Sequence, residues 1–285
     1  MTPIRTYLFV PGTEERKTDK ALASASDALI LDLEDAVALS EKGRARDMVR
    51  TRLASVDAAR NVYVRVNDIE TGLTAEDIRA VCTGGLAGII LPKVEAAETV
   101  RTVSTMIAAA ERAEKVPAGQ VRLNAIIETG RGIAHAVEIA KAGGRLQAMM
   151  FGAADYTADL GIPTSNVGPH ITHGKITTVV ASRAGGLAAP IDTVFFDVTD
   201  ADGFAADCAE AKALGFAGKA VIHPNQIEAA NAAFTPTDEE VAAARHVVTA
   251  FREAESRGLG AVTVNGKLVD YAMLKVAEKT LALAR

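Results

Sequence analysis

Short apolar runs recur along the chain at 7–10, 28–31, 62–66, 88–91, 123–127, 148–151, 193–196 and 219–222, separated by stretches rich in Ala, Glu and Arg. Most of the runs are solid rather than alternating, as expected of parallel strands covered on both faces. The stretches at 95–114 and 132–141 read as helices, with good helix formers throughout and Gly or Pro at their ends. Strand and helix in steady alternation imply right-handed parallel crossovers, which leaves a closed barrel or an open doubly wound sheet. Eight runs with polar residues after almost every one favour the α/β class and a (β/α)₈ TIM barrel, because an open sheet gathers its chemistry at one switch point.

The pattern changes after the eighth run. Residues 237–257 read as a long polar helix in which Thr237 and Glu240 form a capping box. Residues 261–269 read as a hairpin turning on Asn265-Gly266, and a last helix runs to Arg285. The expected division is a barrel over 1–235 and a C-terminal helical and hairpin extension over 236–285. An extension of that size does not fold alone, so it is expected to pack on the barrel and on a neighbouring subunit.

A length of 285 residues accommodates one barrel of about 250 residues plus an appendage. Net charge −5, 4% aromatic residues and no Trp speak against a nucleic-acid partner. Cys82 and Cys208 have no metal-ligand spacing, so reduced thiols are expected. The apolar run near the N-terminus is far too short for a signal core or a membrane span, and the expectation is a cytoplasmic protein without a membrane partner.

Three charged residues stand at the ends of apolar runs: Arg65, Glu128 and Asp155. In a barrel those ends open onto one shared cavity. Glu128 and Asp155 are separated by one strand-helix-strand unit and so fall on neighbouring strands, about 4.8 Å apart. Two acids with room for water and substrate oxygens suit Mg²⁺; the competing reading is a pair of solvated loop acids or a helix cap near Gly130. Strand parity aims Arg65 into the barrel, where its planar fork matches a carboxylate or the oxygen of an enolate, and a salt bridge to Glu34 or Asp32 is the structural rival. Asp32, Glu34 and Asp35 form an acidic cluster after the second run, with Asp32 and Glu34 as candidates to orient metal-bound water or hold Arg65. Lys93 and His223 mark two further strand ends, each with a structural hydrogen bond as an equal explanation. Arg16, Lys17 and Lys20, after Pro11-Gly12, could hold the phosphates of a nucleotide-bearing thiol carrier, although an exposed basic helix face is the commoner cause of such a cluster.

Taken together, Leu8-Phe9-Val10-Pro11-Gly12, Leu31-Asp32-Leu33-Glu34-Asp35, Val64-Arg65-Val66-Asn67, Leu91-Pro92-Lys93, Ile127-Glu128-Thr129, Phe151-Gly152 with Asp155-Tyr156, and Ile222-His223-Pro224 resemble the citrate lyase β-subunit family, with its malyl-CoA and citramalyl-CoA lyase relatives. The resemblance spans nearly the whole chain. It implies Mg²⁺ on Glu128 and Asp155, Arg65 at the substrate, and a homotrimer or hexamer. It also implies that Asp270, in the C-terminal segment, covers the barrel mouth of the next subunit as a catalytic acid. Here Tyr271 and Ala272 follow Asp270 where such relatives often carry a basic residue and Pro. The related hydroxy-keto-acid aldolases have a Glu-His pair after the second strand, and this chain has Glu34-Asp35. The implied activity is reversible cleavage of a 3-hydroxy-3-carboxyalkyl-CoA thioester, of citramalyl-CoA or malyl-CoA type, to an α-keto acid and acetyl-CoA. The alternatives are a citryl-carrier-protein lyase subunit, a thioester hydrolase and a catalytically silent thioester-binding subunit.

Overall fold

The computed structural model describes residues 4–57, 60–164 and 166–284. Eight parallel strands close on themselves in sequence order: β1 (Thr6–Pro11), β2 (Ala28–Asp32), β3 (Asn61–Arg65), β4 (Gly88–Leu91), β5 (Arg122–Ile127), β6 (Leu146–Phe151), β7 (Ile191–Asp192) and β8 (Gly218–Val221), with β8 paired to β1. Helices follow the strands around the outside, completing the expected TIM barrel. The solid apolar runs have the reason proposed for them: β2, β4 and β8 are buried at every position, one face against the barrel interior and the other against helices. The interior is filled by Tyr7, Ile30, Tyr63, Ile90, Met150 and Ile191 among others, with the Tyr7 and Tyr63 rings 5.7 Å apart.

Two expected elements differ. The run at 193–196 is not strand, and β7 stops at Asp192. Beyond it Asn166 takes the place of a neighbouring strand, donating to the Val194 carbonyl at 2.7 Å and accepting the Phe196 N–H at 3.2 Å. The stretch at 132–141 is two short helices, Gly130–Ala134 and Ala136–Ala140, broken at His135, whose ring nitrogen lies 3.0 Å from the Glu95 carbonyl.

The described residues form two compact units, Ile4–Asn231 and 232–284. In the second, Thr237 and Glu240 close the capping box of the helix Asp238–Ser256 as expected. Strands β9 (Val262–Val264) and β10 (Lys267–Val269) pair antiparallel across Asn265 and Gly266, which both have positive φ (49° and 76°), the requirement of a two-residue type I′ turn. Phe251, Val264, Val269 and Leu274 make this unit's own small core. Cys82 and Cys208 are free and fully buried in the first unit, and burial pushes their thiols up to about 11 and about 12. Among the described residues no helix is long and apolar enough to cross a membrane.

Candidate active site

Register creates the first part of the site. Asp32 and Arg65 are paired neighbours at the ends of β2 and β3, and their side chains enter the barrel together. The Arg65 guanidinium donates from Nε and Nη2 to the two Asp32 oxygens, both at 2.7 Å, a bidentate fork. Its Nη1 lies 2.8 Å from Glu34 Oε2, a Coulombic contact and not a directed hydrogen bond, since that oxygen accepts none. The ring of Phe9 supports the guanidinium from β1, 5.1 Å from its carbon. Burial raises the Asp32 carboxyl, but Arg65 and the backbone N–H groups of Glu34 and Ala36 outweigh it and hold the group below its usual range. For Arg65, burial opposes the charge and the three acids Asp32, Glu34 and Glu128 overcome it, so the guanidinium is held charged more firmly than in water.

Glu34 is a joint between two cations. Besides Arg65 it receives Lys93 Nζ at 2.7 Å, and Lys42 Nζ holds the loop from below on the Leu33 and Glu34 carbonyls, each at 2.7 Å. Lys93 itself has φ of +50°, a left-handed backbone uncommon for a residue with a side chain. That conformation directs its N–H to Glu128 Oε1 at 2.9 Å, while its ammonium reaches back to within 3.5 Å of Asp155. Strain held at a residue touching three acids of one site is the pattern found where geometry matters for chemistry.

Glu128 follows β5 and is buried, next to Gly152 at the end of β6. A Cβ on Gly152 would come within 2.3 Å of Glu128 Oε2, so only glycine leaves the carboxylate its place. Burial, and then the charges of Asp155 and Glu34, push the Glu128 carboxyl up to about 8, against the opposing pull of Arg65 and the Lys93 N–H. Asp155 stands in the first turn of the helix Ala153–Asp159, about a third exposed. The start of that helix is tied to β7, because Thr193 Oγ1 accepts the Ala153 N–H at 2.9 Å. Below Thr193 lies a fully buried charge network: Lys219 Nζ donates to the Thr193 carbonyl at 2.9 Å and to Asp192 at 2.6 Å, and Lys175 reaches Asp207 at 2.8 Å.

These groups open onto one cavity of about 450 Å³ at the carboxyl ends of the strands. Arg65, Glu128, Asp155 and Asp32 all line it, as the sequence reading expected of strand-end residues, and Asp35 joins them. Arg16 and Lys20 are solvent-exposed on the helix Glu15–Leu22 and lie outside the cavity lining. The salt bridge expected as the rival reading of Arg65 is present, with Asp32 and Glu34, and it positions the guanidinium in the cavity wall. His223 caps a short turn by accepting the Asn225 N–H. Thr129 caps the helix that begins at Gly130, and Asp159 accepts the Gly130 N–H at 2.7 Å, so Glu128 is not a helix cap. In the second unit, Asp270 caps the helix Tyr271–Leu283, accepting the Ala272 and Met273 N–H groups at 2.9 and 3.1 Å. The sequence reading named Lys93 and His223 as strand-end candidates, and neither is among the cavity-lining residues, although Lys93 holds the acids that are; Lys42 and Thr193 escaped it.

Among the described residues no three His, Cys, Asp or Glu side chains are grouped to cage a metal. Two carboxylates on one cavity remain, the donor set of an ion that keeps most of its ligands from water and substrate.

The family model described as HpcH/HpaI aldolase/citrate lyase matches residues 5–224. Two relatives from Cereibacter sphaeroides (strain ATCC 17025 / ATH 2.4.3) are similar over almost the whole chain. A (3S)-malyl-CoA thioesterase is 38% identical, covering 99% of this chain and 95% of its own length. An L-malyl-CoA/beta-methylmalyl-CoA lyase is 37% identical, covering 97% and 93%. Among solved structures, protein CitE from Mycobacterium tuberculosis in complex with magnesium, acetoacetate and coenzyme A superposes with a TM-score of 0.80 at 33% identity, covering 99% of this chain and 98% of that one.

Proposed function

Since the chain belongs to the HpcH/HpaI aldolase/citrate lyase family, we propose that it is a carbon-carbon lyase acting reversibly on a 3-hydroxy-3-carboxyalkyl thioester of coenzyme A, with an α-keto acid and acetyl-CoA as products. The observation that carries this reading is the convergence of Arg65, Glu128 and Asp155 on one cavity at the strand ends. The residues fit Mg²⁺: Glu128 and Asp155 would hold it, the side-chain-free Gly152 leaves the Glu128 carboxylate its room, and the like charges of the two acids need a cation between them. When bound, the ion supplies Lewis-acid polarisation of the substrate's carboxylate and hydroxyl oxygens.

The protein's own groups do the rest. In cleavage the substrate's hydroxyl proton leaves to solvent as its oxygen becomes the oxo group, the electron pair of the breaking bond passes to the thioester as an enolate, and Arg65, preorganised by Asp32 and Phe9, meets the negative charge as it develops on oxygen. Lys93 keeps Glu128 oriented and balances the charge of Glu34. In the proposed assembly, a homotrimer or hexamer, Asp270 of a neighbouring copy gives the enolate carbon its proton in cleavage and removes it in condensation. Arg16 and Lys20 are the proposed contacts for the phosphates of coenzyme A.

Hydrolysis of the thioester is the second reading, favoured by the likeness to a malyl-CoA thioesterase. One assay separates them. With malyl-CoA and citramalyl-CoA in Mg²⁺, the lyase forms an oxo acid without free thiol, and a hydrolase forms free thiol without an oxo acid. Neither product from any thioester, with binding retained, would leave a silent binding subunit; turnover confined to an acyl carrier protein thioester would mark a citryl-carrier lyase subunit.

A further inference from the structure

Gly152 meets one requirement of the site and creates another. It must lack a side chain, because a Cβ there would come within 2.3 Å of Glu128 Oε2. It also stands immediately before the helix Ala153–Asp159, where Ser, Thr, Asp or Asn usually accepts an N–H of the first turn. The residue that makes room for Glu128 therefore cannot cap the helix that carries Asp155.

The acceptor comes from the next strand instead. Thr193 lies two residues beyond Ile191, so alternation turns its side chain into the barrel with Ile191 and away from that of Asp192. Past the backbone pair Met150–Ile191, β6 and β7 are joined by the Thr193 hydroxyl, which accepts the Ala153 N–H at 2.9 Å. Thr193 is buried, so water does not compete for that bond. Its backbone is fixed in turn. Lys219 donates to the Thr193 carbonyl at 2.9 Å, with Asp192 and Asp207 accepting from the same ammonium. Asn166 and Gln226 donate to the carbonyls of Val194 and Phe195 at 2.7 and 3.1 Å. Side chains thus hold residues 193–195 where the sheet has run out, and the hydroxyl is offered from a fixed point.

Asp155 needs such a point. Its carboxylate is about a third exposed and has Lys93 at 3.5 Å, a loose ion pair, so the turn of backbone beneath it sets where the acid stands. We infer that Thr193 is a positioning residue for Asp155: its hydroxyl stands in for the cap that Gly152 cannot provide and holds the first turn of the helix at the cavity shared with Glu128. The inference rests on the proposed Mg²⁺ site for its consequence, which is metal affinity.

Thr193→Val removes the acceptor at nearly constant shape, and Thr193→Ser restores it. In the metal-free, full-length protein, hydrogen exchange at the start of the helix Ala153–Asp159 is expected to quicken about fivefold in the valine variant and to stay near wild type in the serine variant. Unchanged exchange in the valine variant overturns the cap. Calorimetric titration with MgCl₂ should show about tenfold weaker binding for valine and recovery for serine, the usual cost of losing a group that orients a metal ligand. A role in packing alone would lower the melting temperature and leave Mg²⁺ affinity where it was, and that result overturns the positioning role. Should the valine variant not fold, Thr193→Ala removes the same acceptor and is read in the same way. Asp155→Asn separates the two levels, since it should weaken Mg²⁺ without quickening exchange at Ala153. Unchanged Mg²⁺ affinity in that variant counts against the metal reading, while the exchange rates still decide the cap.

Discussion

Glu128 is buried among charges of its own sign, and its carboxyl, pushed up to about 8, is protonated over most of the physiological range until a cation displaces the proton. Mg²⁺ uptake should therefore release about one proton per site, and its affinity should rise about tenfold per pH unit from pH 6 until it levels off near 8. Calorimetry in buffers of different ionisation heat reads both quantities; a pH-independent affinity would remove Glu128 from the ligand set. In the metal-free protein the sign is reversed. The folded state holds a proton that the unfolded chain, with its ordinary value of 4.5, gives up earlier, so this contribution to stability is full below pH 4.5 and is lost as the pH rises through about 8. Glu128→Gln keeps the shape and removes the buried charge, and is expected to leave the melting temperature unchanged or raised while weakening Mg²⁺ binding by at least about tenfold. Arg65, Glu128 and Asp155 were legible in the sequence because charge at the end of an apolar run is conspicuous. Lys93 was legible as a cation at a strand end but not in its role, because that role lies in a left-handed backbone and a reach across to the acids of two other strands, neither of which periodicity encodes.

At the scale of strands and helices, the site depends on how closely β5 and β6 approach. Gly152→Ala would drive a methyl group into the Glu128 carboxylate and move it by a substantial part of an ångström. Turnover is expected to fall about a hundredfold, the usual penalty for misplacing a reacting group by that amount, with circular dichroism unchanged. Loss of folded protein instead would make Gly152 a packing residue. The strands were readable because burial on both faces makes solid apolar blocks, and the hairpin was readable because Asn265-Gly266 meets a strict conformational requirement. β7 was misjudged for a specific reason. The run at 193–196 is as apolar as its neighbours, yet Asn166, nearly thirty residues earlier, satisfies its backbone, and a single distant side chain leaves no local signal.

For the whole molecule, the C-terminal unit has a small core and leaves Leu268, Tyr271, Met273 and Val276 between 51% and 68% exposed. An apolar surface of this kind on a segment carrying Asp270 accords with the proposed packing on a neighbouring copy. Val276→Asp should shift the proposed trimer or hexamer toward monomer in analytical ultracentrifugation and lower lyase turnover, without lowering Mg²⁺ affinity at the barrel. An unchanged assembly would detach this surface from oligomer formation.

The two buried thiols give the barrel a chemical clock. Cys82 and Cys208 have raised pKa values and no access to solvent, whereas residues 232–284 contain no cysteine at all. A small alkylating reagent should leave the native enzyme unmodified and label it only as fast as the barrel breathes open. Fraying confined to the C-terminal segment would pass unrecorded, so the labelling rate, slowed by Mg²⁺ and an oxo acid, would time the opening of the catalytic unit alone.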